Sequence, residues 1–387
     1  MAFGLGRQAR LMVSAREDNT VPSDDANRSS NHLMGPDSLP FITSELPGIG
    51  GQLKTEPAHF VVEEIPLYEA GGSGAHLYLS LTREGWNTKR VADALADLFS
   101  LNRRDVGFAG LKDRNARCTQ TFSLPGLAPE DAERIEPALP FQVNWARQHS
   151  NKLKVGHLLG NRFCITVSEL AVPPDEALSR SQAIAAAVAE RGVPNFFGPQ
   201  RFGHEGGNVA KGRAMLLGQA PRRDPWLAKL LVSAYQSHLF NRYLVRRIES
   251  GLFGQLIQGD VCKKAETGGM FQVQDAPAEQ PRYQRGEITF TGPIYGKKMW
   301  AAQGPAAELE ASVLAEAELS AEDLQRARVD GSRRSARLWL PVIELAADGQ
   351  GLQVNFNLPK GAYATVILRE FIKSEQGLEL LQEENEE

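Results

Sequence analysis

The pattern of apolar and polar residues predicts strands and helices that alternate along most of the chain. Short runs of apolar, β-branched and aromatic residues predict strands at 60–65, 77–81, 106–110, 143–147, 163–167 and 353–358. Apolar residues three or four positions apart predict a helix capped by Asn87 or Thr88, a helix that includes 183–189 and stops at Gly192, and helices over 226–249 and 364–371. Because the two kinds of element are interleaved and no repeat is visible, we predict an α+β fold.

The two ends of the chain lack this pattern. Residues 1–40 are rich in Ser, Asn, Asp, Arg and Gly, which is typical of a disordered tail, and order is expected to begin near Gly51. Residues 376–387 form an acidic tail. The net charge is −4, but without the five glutamates after Leu378 it is +1. Overall charge therefore does not exclude a nucleic-acid partner.

Composition narrows the class of protein. The chain has 387 residues, of which 42% are hydrophobic and 23% charged, as in a globular protein with a sizeable core. No apolar run reaches the roughly 20 residues that cross a bilayer, and no secretory apolar stretch opens the chain. Cys118, Cys164 and Cys262 form no CxxC pair, so neither a disulfide framework nor a zinc site is predicted. We expect a reduced, cytoplasmic protein without a membrane segment.

The first candidate for chemistry is Asp113, which lies between Lys112 and Arg114 at the end of a predicted strand. Flanking cations favour the ionised carboxylate, which would suit a nucleophile or an electrostatic stabiliser. Asp also commonly starts a turn. The spacing alone favours this structural interpretation.

Two other strings combine polar and aromatic residues. Residues 195–203 hold three Phe and one Arg among glycines, which would suit base stacking and a phosphate contact, or a loop anchored by buried rings. Asn161, Arg162 and Phe163 stand together at a strand start. No metal-binding His spacing, serine-hydrolase GxSxG or phosphate-binding P-loop motif is present.

Taken together, these strings resemble the motifs of the TruD family of tRNA pseudouridine synthases, in the same order from about Gly51 to Ser374. The string that resembles the catalytic motif contains Gly110, Lys112, Asp113, Ala116 and Gln120. The strings that resemble the other motifs contain Lys54, Pro57, Phe60, Val62 and Glu64; Lys154, Gly156, Leu158, Gly160, Asn161 and Phe163; residues 195–203; and Pro359, Gly361, Ala364, Thr365, Arg369 and Glu370. Three positions differ from the usual family residues: His59 replaces Asp, Cys118 replaces Thr and Tyr363 replaces Phe.

The resemblance implies a V-shaped, two-domain molecule. A pseudouridine synthase catalytic domain with a central antiparallel sheet would comprise residues 41–194 and 346–375. An inserted α/β domain would comprise residues 195–345, with the tails 1–40 and 376–387 outside both.

The resemblance also implies an activity, which is isomerisation of uridine to pseudouridine at position 13 of tRNA. It implies Asp113 as the nucleophile and Lys54 as its electrostatic partner. Contacts to the flipped nucleotide would come from Phe60, Asn161, Phe163 and Tyr363. No cofactor or metal is expected, tRNA is the expected partner, and the protein is expected to be a monomer.

Two alternatives belong to other functional classes. A non-catalytic RNA-binding or RNA-folding protein could use the same cleft. A glycosidase also cleaves at an anomeric carbon, but it needs a second carboxylate about 5–10 Å away, for which Glu64 and Asp105 are available. For an RNA substrate, the candidate phosphate contacts are Lys152, Lys154, Arg162, Arg201 and Arg333.

Overall fold

The computed structural model describes residues 39–53, 55–203, 206–220 and 224–374. Its strands are β1 (Phe60–Pro66), β2 (His76–Arg83), β3 (Gly107–Phe108), β4 (Arg117–Pro125), β5 (Gln142–His149), β6 (Leu158–Val167), β7 (Val193–Pro194), β8 (Val261–Lys264), β9 (Met270–Gln272), β10 (Ile288–Ile294), β11 (Ser332–Ser335), β12 (Arg337–Leu338), β13 (Glu344–Asp348) and β14 (Gly351–Pro359). Its helices are α1 (Thr88–Leu98), α2 (Ile135–Ala138), α3 (Pro174–Arg191), α4 (Gly207–Leu216), α5 (Pro225–Glu249), α6 (Ala276–Gln284), α7 (Gly304–Glu316), α8 (Ala321–Arg326) and α9 (Ala364–Ile372). Within these ranges, no helix has the length and apolar character needed to cross a membrane.

The larger sheet joins strands from distant parts of the chain. Its order is β13-β14-β6-β1-β4-β2-β5, with β3 paired to β4. All neighbouring pairs are antiparallel except β1 and β4, which are parallel. The α+β class is thereby confirmed, and the antiparallel sheet contains one parallel pair. The V shape and the domain boundaries stay predictions.

One face of this sheet is buried and the other is largely polar. Val62, Phe163 and Phe356 lie opposite one another on β1, β6 and β14, and all three are buried. The intervening Arg162 and Asn357 are exposed. Successive side chains of a strand face opposite sides, so Val62, Phe163 and Phe356 all face the core beneath the helices.

A smaller sheet and the long helix α5 share a core farther along the chain. The sheet order is β11-β10-β8-β9. Arg247 of α5 is fully buried and forms a two-pronged ion pair with Asp260, with N–O distances of 2.9 and 3.0 Å. Its guanidinium carbon also lies 4.0 Å from the centre of the Phe290 ring. The paired charge is compatible with burial because both partners are hydrogen-bonded.

Ordered structure begins earlier than Gly51, so that expectation is wrong. Leu39 is buried, and the Arg369 guanidinium of α9 donates to the carbonyls of Leu39 and Pro40. The amide and hydroxyl of Thr43 donate to Glu370 at 3.1 and 2.8 Å. The segment is fixed by the opposite end of the chain, which its own polar sequence does not reveal. The remaining tail residues, 1–38 and 375–387, lie outside the described residues.

The central strand β4 is the main element that the sequence pattern missed. Its Gln120, Thr121 and Ser123 are buried although they are polar, so the strand lacks a clear apolar alternation. All three take part in buried hydrogen bonds. Strand β13 and helices α4 and α6 were also missed, and β3 is shorter than the predicted strand at 106–110.

His238 of α5 gives the fold a predictable pH dependence. Burial, with a smaller contribution from Arg242, lowers its pKa from 6.5 to about 4. The folded protein keeps the imidazole neutral while the unfolded chain takes up a proton below pH 6.5. The contribution of His238 to stability is therefore present above pH 6.5 and is lost as the pH falls toward 4.

We expect His238 to make the protein about 2 kcal/mol less stable at pH 5 than at pH 8. His238→Gln should remove this part of the pH dependence, measured by urea unfolding across the range. His59→Gln is the control, because the His59 side chain is only half-buried. An unchanged pH slope in His238→Gln would contradict the prediction.

Candidate functional site

Asp113 lies on a loop between β3 and β4 whose backbone is held on both sides. The side chain of Asp113 is exposed. The amide of Lys112 donates to the Thr88 hydroxyl at 2.8 Å, and the Cys118 thiol donates to the Asp113 carbonyl at 3.7 Å. The carbonyl of Arg114 accepts from the amide of Gly85 at 3.1 Å. The exposed Asp113 side chain is thus carried on a fixed backbone.

A buried ion pair lies beneath this loop. Lys112 Nζ is 3.0 Å from Glu64 Oε2, and the two side chains are 4% and 2% exposed. Glu64 also accepts from the Gln120 amide at 3.4 Å and from the Thr121 backbone amide at 3.3 Å. Lys112 is therefore paired with Glu64. The expectation that Lys112 acts as a cation flanking Asp113 is corrected by this pairing.

The same ion pair bears on the glycosidase alternative. Glu64 is buried and its oxygens are occupied by Lys112, Gln120 and Thr121. A general acid or base must reach the substrate directly or through one water molecule. Glu64 is therefore unsuited to serve as the second carboxylate.

Arg83 and Thr88 extend the buried network to β2 and α1. Arg83, at the end of β2, donates to the Cys118 carbonyl at 3.3 Å and to the Gln120 side chain at 3.1 Å. The Thr88 hydroxyl donates to the same Gln120 oxygen at 3.0 Å. Burial lowers the pKa of Arg83, partly opposed by the charge of Glu64. Arg83 was missed, although an Arg that closes an apolar strand was an available signal, and Thr88 was expected only as a helix cap.

Three phenylalanine rings meet beside this network. The Phe163 ring centre is 6.2 Å from that of Phe60 and 5.5 Å from that of Phe356, with near-parallel planes in the second pair. The structure brings Phe60 and Phe163 together, but they are only 3% and 7% exposed. Phe356 was missed because it comes from a distant strand.

Asn161 occupies the same sheet face as Phe163. Strand register places it directly opposite Glu64 on β1 and Leu358 on β14. Its Oδ1 is buried and has no hydrogen-bond partner among the described residues. Such an amide oxygen could accept a hydrogen bond from a base edge, because buried polar atoms are ordinarily paired.

Tyr363 belongs to a second cluster, formed with residues 195–203. Its ring centre lies 6.0 Å from that of Phe197. Burial raises the Tyr363 pKa, an effect opposed by the charges of Arg201 and Arg334. A side chain at Gly198 would come within 3.1 Å of the Tyr363 ring, so glycine permits this close approach.

From the nucleotide contact that the resemblance implies for Tyr363, we expect Tyr363→Phe to retain the implied pseudouridine formation within about twofold, because the ring and its packing remain. Tyr363→Ala should lower turnover by roughly tenfold, since base–aromatic stacking contributes about 1–3 kcal/mol. Single-turnover assays on tRNA would compare the two variants. Equal losses in both variants would mean that the hydroxyl, and not the ring, matters.

The candidate phosphate contacts are not equivalent. Arg333 is 1% exposed and ion-paired with Glu310 at 2.7 Å, and Arg162 pairs with Glu63 on the polar sheet face at 3.1 Å. Arg333 is therefore not available to RNA, which corrects that expectation. Lys152 donates to the Arg104 carbonyl and Lys154 is exposed.

The remaining site prediction concerns Lys54, which lies outside the described residues. Within the described parts of the chain, no group of three or more His, Cys, Asp or Glu side chains is placed to hold a metal ion.

Comparison with known proteins identifies a protein family for this chain. The family model for tRNA pseudouridine synthase D (TruD) matches residues 39–223 and 221–371. A tRNA pseudouridine synthase D from Anaeromyxobacter sp. (strain Fw109-5) is 43% identical, with coverage of 87% of this chain and 96% of the relative. The protein of that name from Thermus thermophilus is 40% identical over 89% of this chain and 94% of its own length.

A solved structure agrees with the sequence comparisons. The crystal structure of the Methanosarcina mazei protein assigned to tRNA pseudouridine synthase D superposes with a TM-score of 0.73 at 25% identity. The match covers 87% of this chain and 96% of that chain. The likeness therefore extends over nearly the whole described fold.

Proposed function

Because the chain belongs to the TruD family and is a tRNA pseudouridine synthase, we propose that it isomerises uridine-13 of tRNA with Asp113 as the nucleophile. The observation that carries the proposal is the exposed Asp113 on a loop anchored by the buried Lys112–Glu64 pair. The further expectations of a cofactor-free, monomeric, cytoplasmic enzyme belong to the same proposal.

The reaction requires the N1–C1′ glycosidic bond to break, the uracil to turn over, and C5 to bond to C1′, with loss of the C5 proton and protonation of N1. A fixed carboxylate can attack C1′, or it can remove a proton from the sugar. In both routes Asp113 must approach the sugar without a large rearrangement. The hydrogen bonds on either side of it support this requirement, since positioning is a major source of rate acceleration.

The uracil must leave its base stack before it can turn over, at a cost of a few kcal/mol. Phe163 belongs to a buried ring cluster with Phe60 and Phe356, and Tyr363 supplies a second ring near Phe197 and the charges of Arg201 and Arg334. The unpaired Oδ1 of Asn161 suits the N3–H donor of uracil. These side chains can replace the stacking and pairing that the nucleotide loses.

The direct experiment maps pseudouridine in cellular tRNA with and without the gene. Loss of pseudouridine at position 13, restored by the wild-type gene and not by Asp113→Asn, is the expected result. Restoration of RNA function by Asp113→Asn without pseudouridine would favour the alternative of a non-catalytic RNA-binding or RNA-folding protein. Loss of pseudouridine at another position would overturn the assignment to uridine-13.

A further inference from the structure

Arg334 and Arg201 are two cations that flank one aromatic ring. Arg334 lies on β11, and Arg201 ends the short turn after Gly198. Their guanidinium carbons are 4.0 and 5.8 Å from the centre of the Phe197 ring. Each also influences Tyr363, whose pKa both charges lower against the larger effect of burial.

Neither guanidinium has a carboxylate partner among the described residues. Arg334 donates to the Asn195 carbonyl at 3.2 Å, to the Asn195 side-chain oxygen at 2.6 Å and to the Gly361 carbonyl at 2.9 Å. Arg201 donates to the hydroxyls of Ser237 and Ser233 at 3.2 and 2.9 Å. All of these acceptors are neutral, so they orient the two cations without compensating their charge.

Arg333, the residue before Arg334 on β11, does have a carboxylate partner. Adjacent strand residues face opposite sides, and Arg333 faces Glu310 in a buried ion pair. Arg334 faces Phe197 and is partly buried without such a partner. Burial and the nearby charge of Arg201 lower the Arg334 pKa to about 10. Two partly desolvated like charges are unfavourable unless an anion joins them.

Each guanidinium keeps donors for such an anion. The hydrogen bonds of Arg334 use Nε and Nη2, and those of Arg201 use the same two nitrogens. Arg334 Nη1 lies beneath the exposed Gly361 turn, where an added Cβ would be 3.8 Å away. Guanidinium groups bind phosphate oxygens in a planar, directional geometry.

We propose that Arg334 and Arg201 form a binding site for a phosphodiester group of the substrate RNA, next to the nucleotide that contacts Tyr363. This inference rests on the proposed function and extends it, because it assigns the charged contact that fixes the RNA backbone beside the reacting base. Of the two adjacent arginines on β11, Arg334 and not Arg333 is assigned to this site.

The first test measures tRNA affinity against salt concentration for Arg334→Gln and Arg201→Gln. Each phosphate contact contributes roughly 0.7 to 0.9 to the slope of log affinity against log salt. Each variant should lose about that amount and bind about tenfold more weakly at low salt. Arg285→Gln is the control, because that exposed arginine already pairs with Glu287 and should keep the wild-type slope.

The second test places a neutral methylphosphonate at each phosphate beside the target uridine. One position should weaken binding to the wild-type protein and have no further effect in Arg334→Gln. Should Arg334→Gln not fold, Arg201→Gln carries the same comparison, and Arg334→Lys should keep the salt slope. Wild-type slopes in both Gln variants, or equal methylphosphonate effects in wild type and variants, would overturn the site.

A parallel assay for pseudouridine separates this inference from the proposed function. Turnover by the wild-type protein together with unchanged salt slopes overturns the phosphate site alone. Absence of pseudouridine in wild-type reactions overturns the proposed function itself.

Discussion

Asp113→Asn should abolish pseudouridine formation, with single-turnover rates reduced by on the order of 10⁴-fold or more. The amide cannot attack C1′ as a carboxylate does, and it cannot accept a proton from the sugar. Asp113 is exposed, so the melting temperature should change by only about 2 °C. Rapid-quench assays on a tRNA transcript would measure the rate.

Asp113→Asn should also retain tRNA affinity, since the proposed phosphate contacts lie elsewhere. Asn115→Ala is a matched control in the same loop, because Asn115 is also exposed and has no assigned role. It should keep turnover within a few-fold. Near wild-type rates for a folded Asp113→Ala protein would overturn the assignment of Asp113.

Lys112→Met should destabilise the protein by about 3–5 kcal/mol, because it leaves Glu64 buried without its counterion. Turnover should also fall by about 10²-fold at a temperature where the variant is folded, since loss of the anchor displaces Asp113. Urea unfolding and single-turnover assays on the same preparation would measure both effects. The double variant Lys112→Met/Glu64→Gln should recover part of the stability, because the buried charge is gone.

The Arg247–Asp260 pair provides the matched control for this effect. Both side chains are buried, and Asp260→Asn leaves the Arg247 charge without its carboxylate. A similar loss of stability is expected from that variant, with turnover retained at a temperature where it is folded. Equal turnover in folded Lys112→Met and Asp260→Asn would show that the buried pair does not position Asp113.

Local patterns were enough to predict several elements. Of the two cap candidates Asn87 and Thr88, Asn87 caps α1 through a hydrogen bond from the Arg90 amide at 2.9 Å. Strands β1, β2, β5 and β14 and helices α5 and α9 were confirmed close to their predicted positions. Helix α3 includes the predicted 183–189 and ends before Gly192 as predicted, but it begins earlier, at Pro174. Capping and side-chain periodicity act over a few residues, so they can be read without knowing the tertiary structure.

The sequence by itself also determined the family motifs and the place of Asp113 in a polar turn after the predicted strand at 106–110. It could not decide which of three adjacent charged residues is buried. The tertiary structure turns Lys112 inward to Glu64, 48 positions earlier in the chain, and leaves Asp113 and Arg114 exposed. That choice depends on the pairing of β1 with β4, which no local pattern encodes.

Strand register decided the other neighbours of the site. It sets Asn161 opposite Glu64 and Phe163 opposite Phe356, and it turns Arg333 to Glu310 while Arg334 lies against Phe197. A shift of one residue would reverse every one of these assignments, because strand side chains alternate between faces. Register is fixed by the burial of whole strands against distant partners. Only the folded chain therefore distinguishes Arg333, which pairs with a carboxylate, from Arg334, which has no carboxylate partner among the described residues.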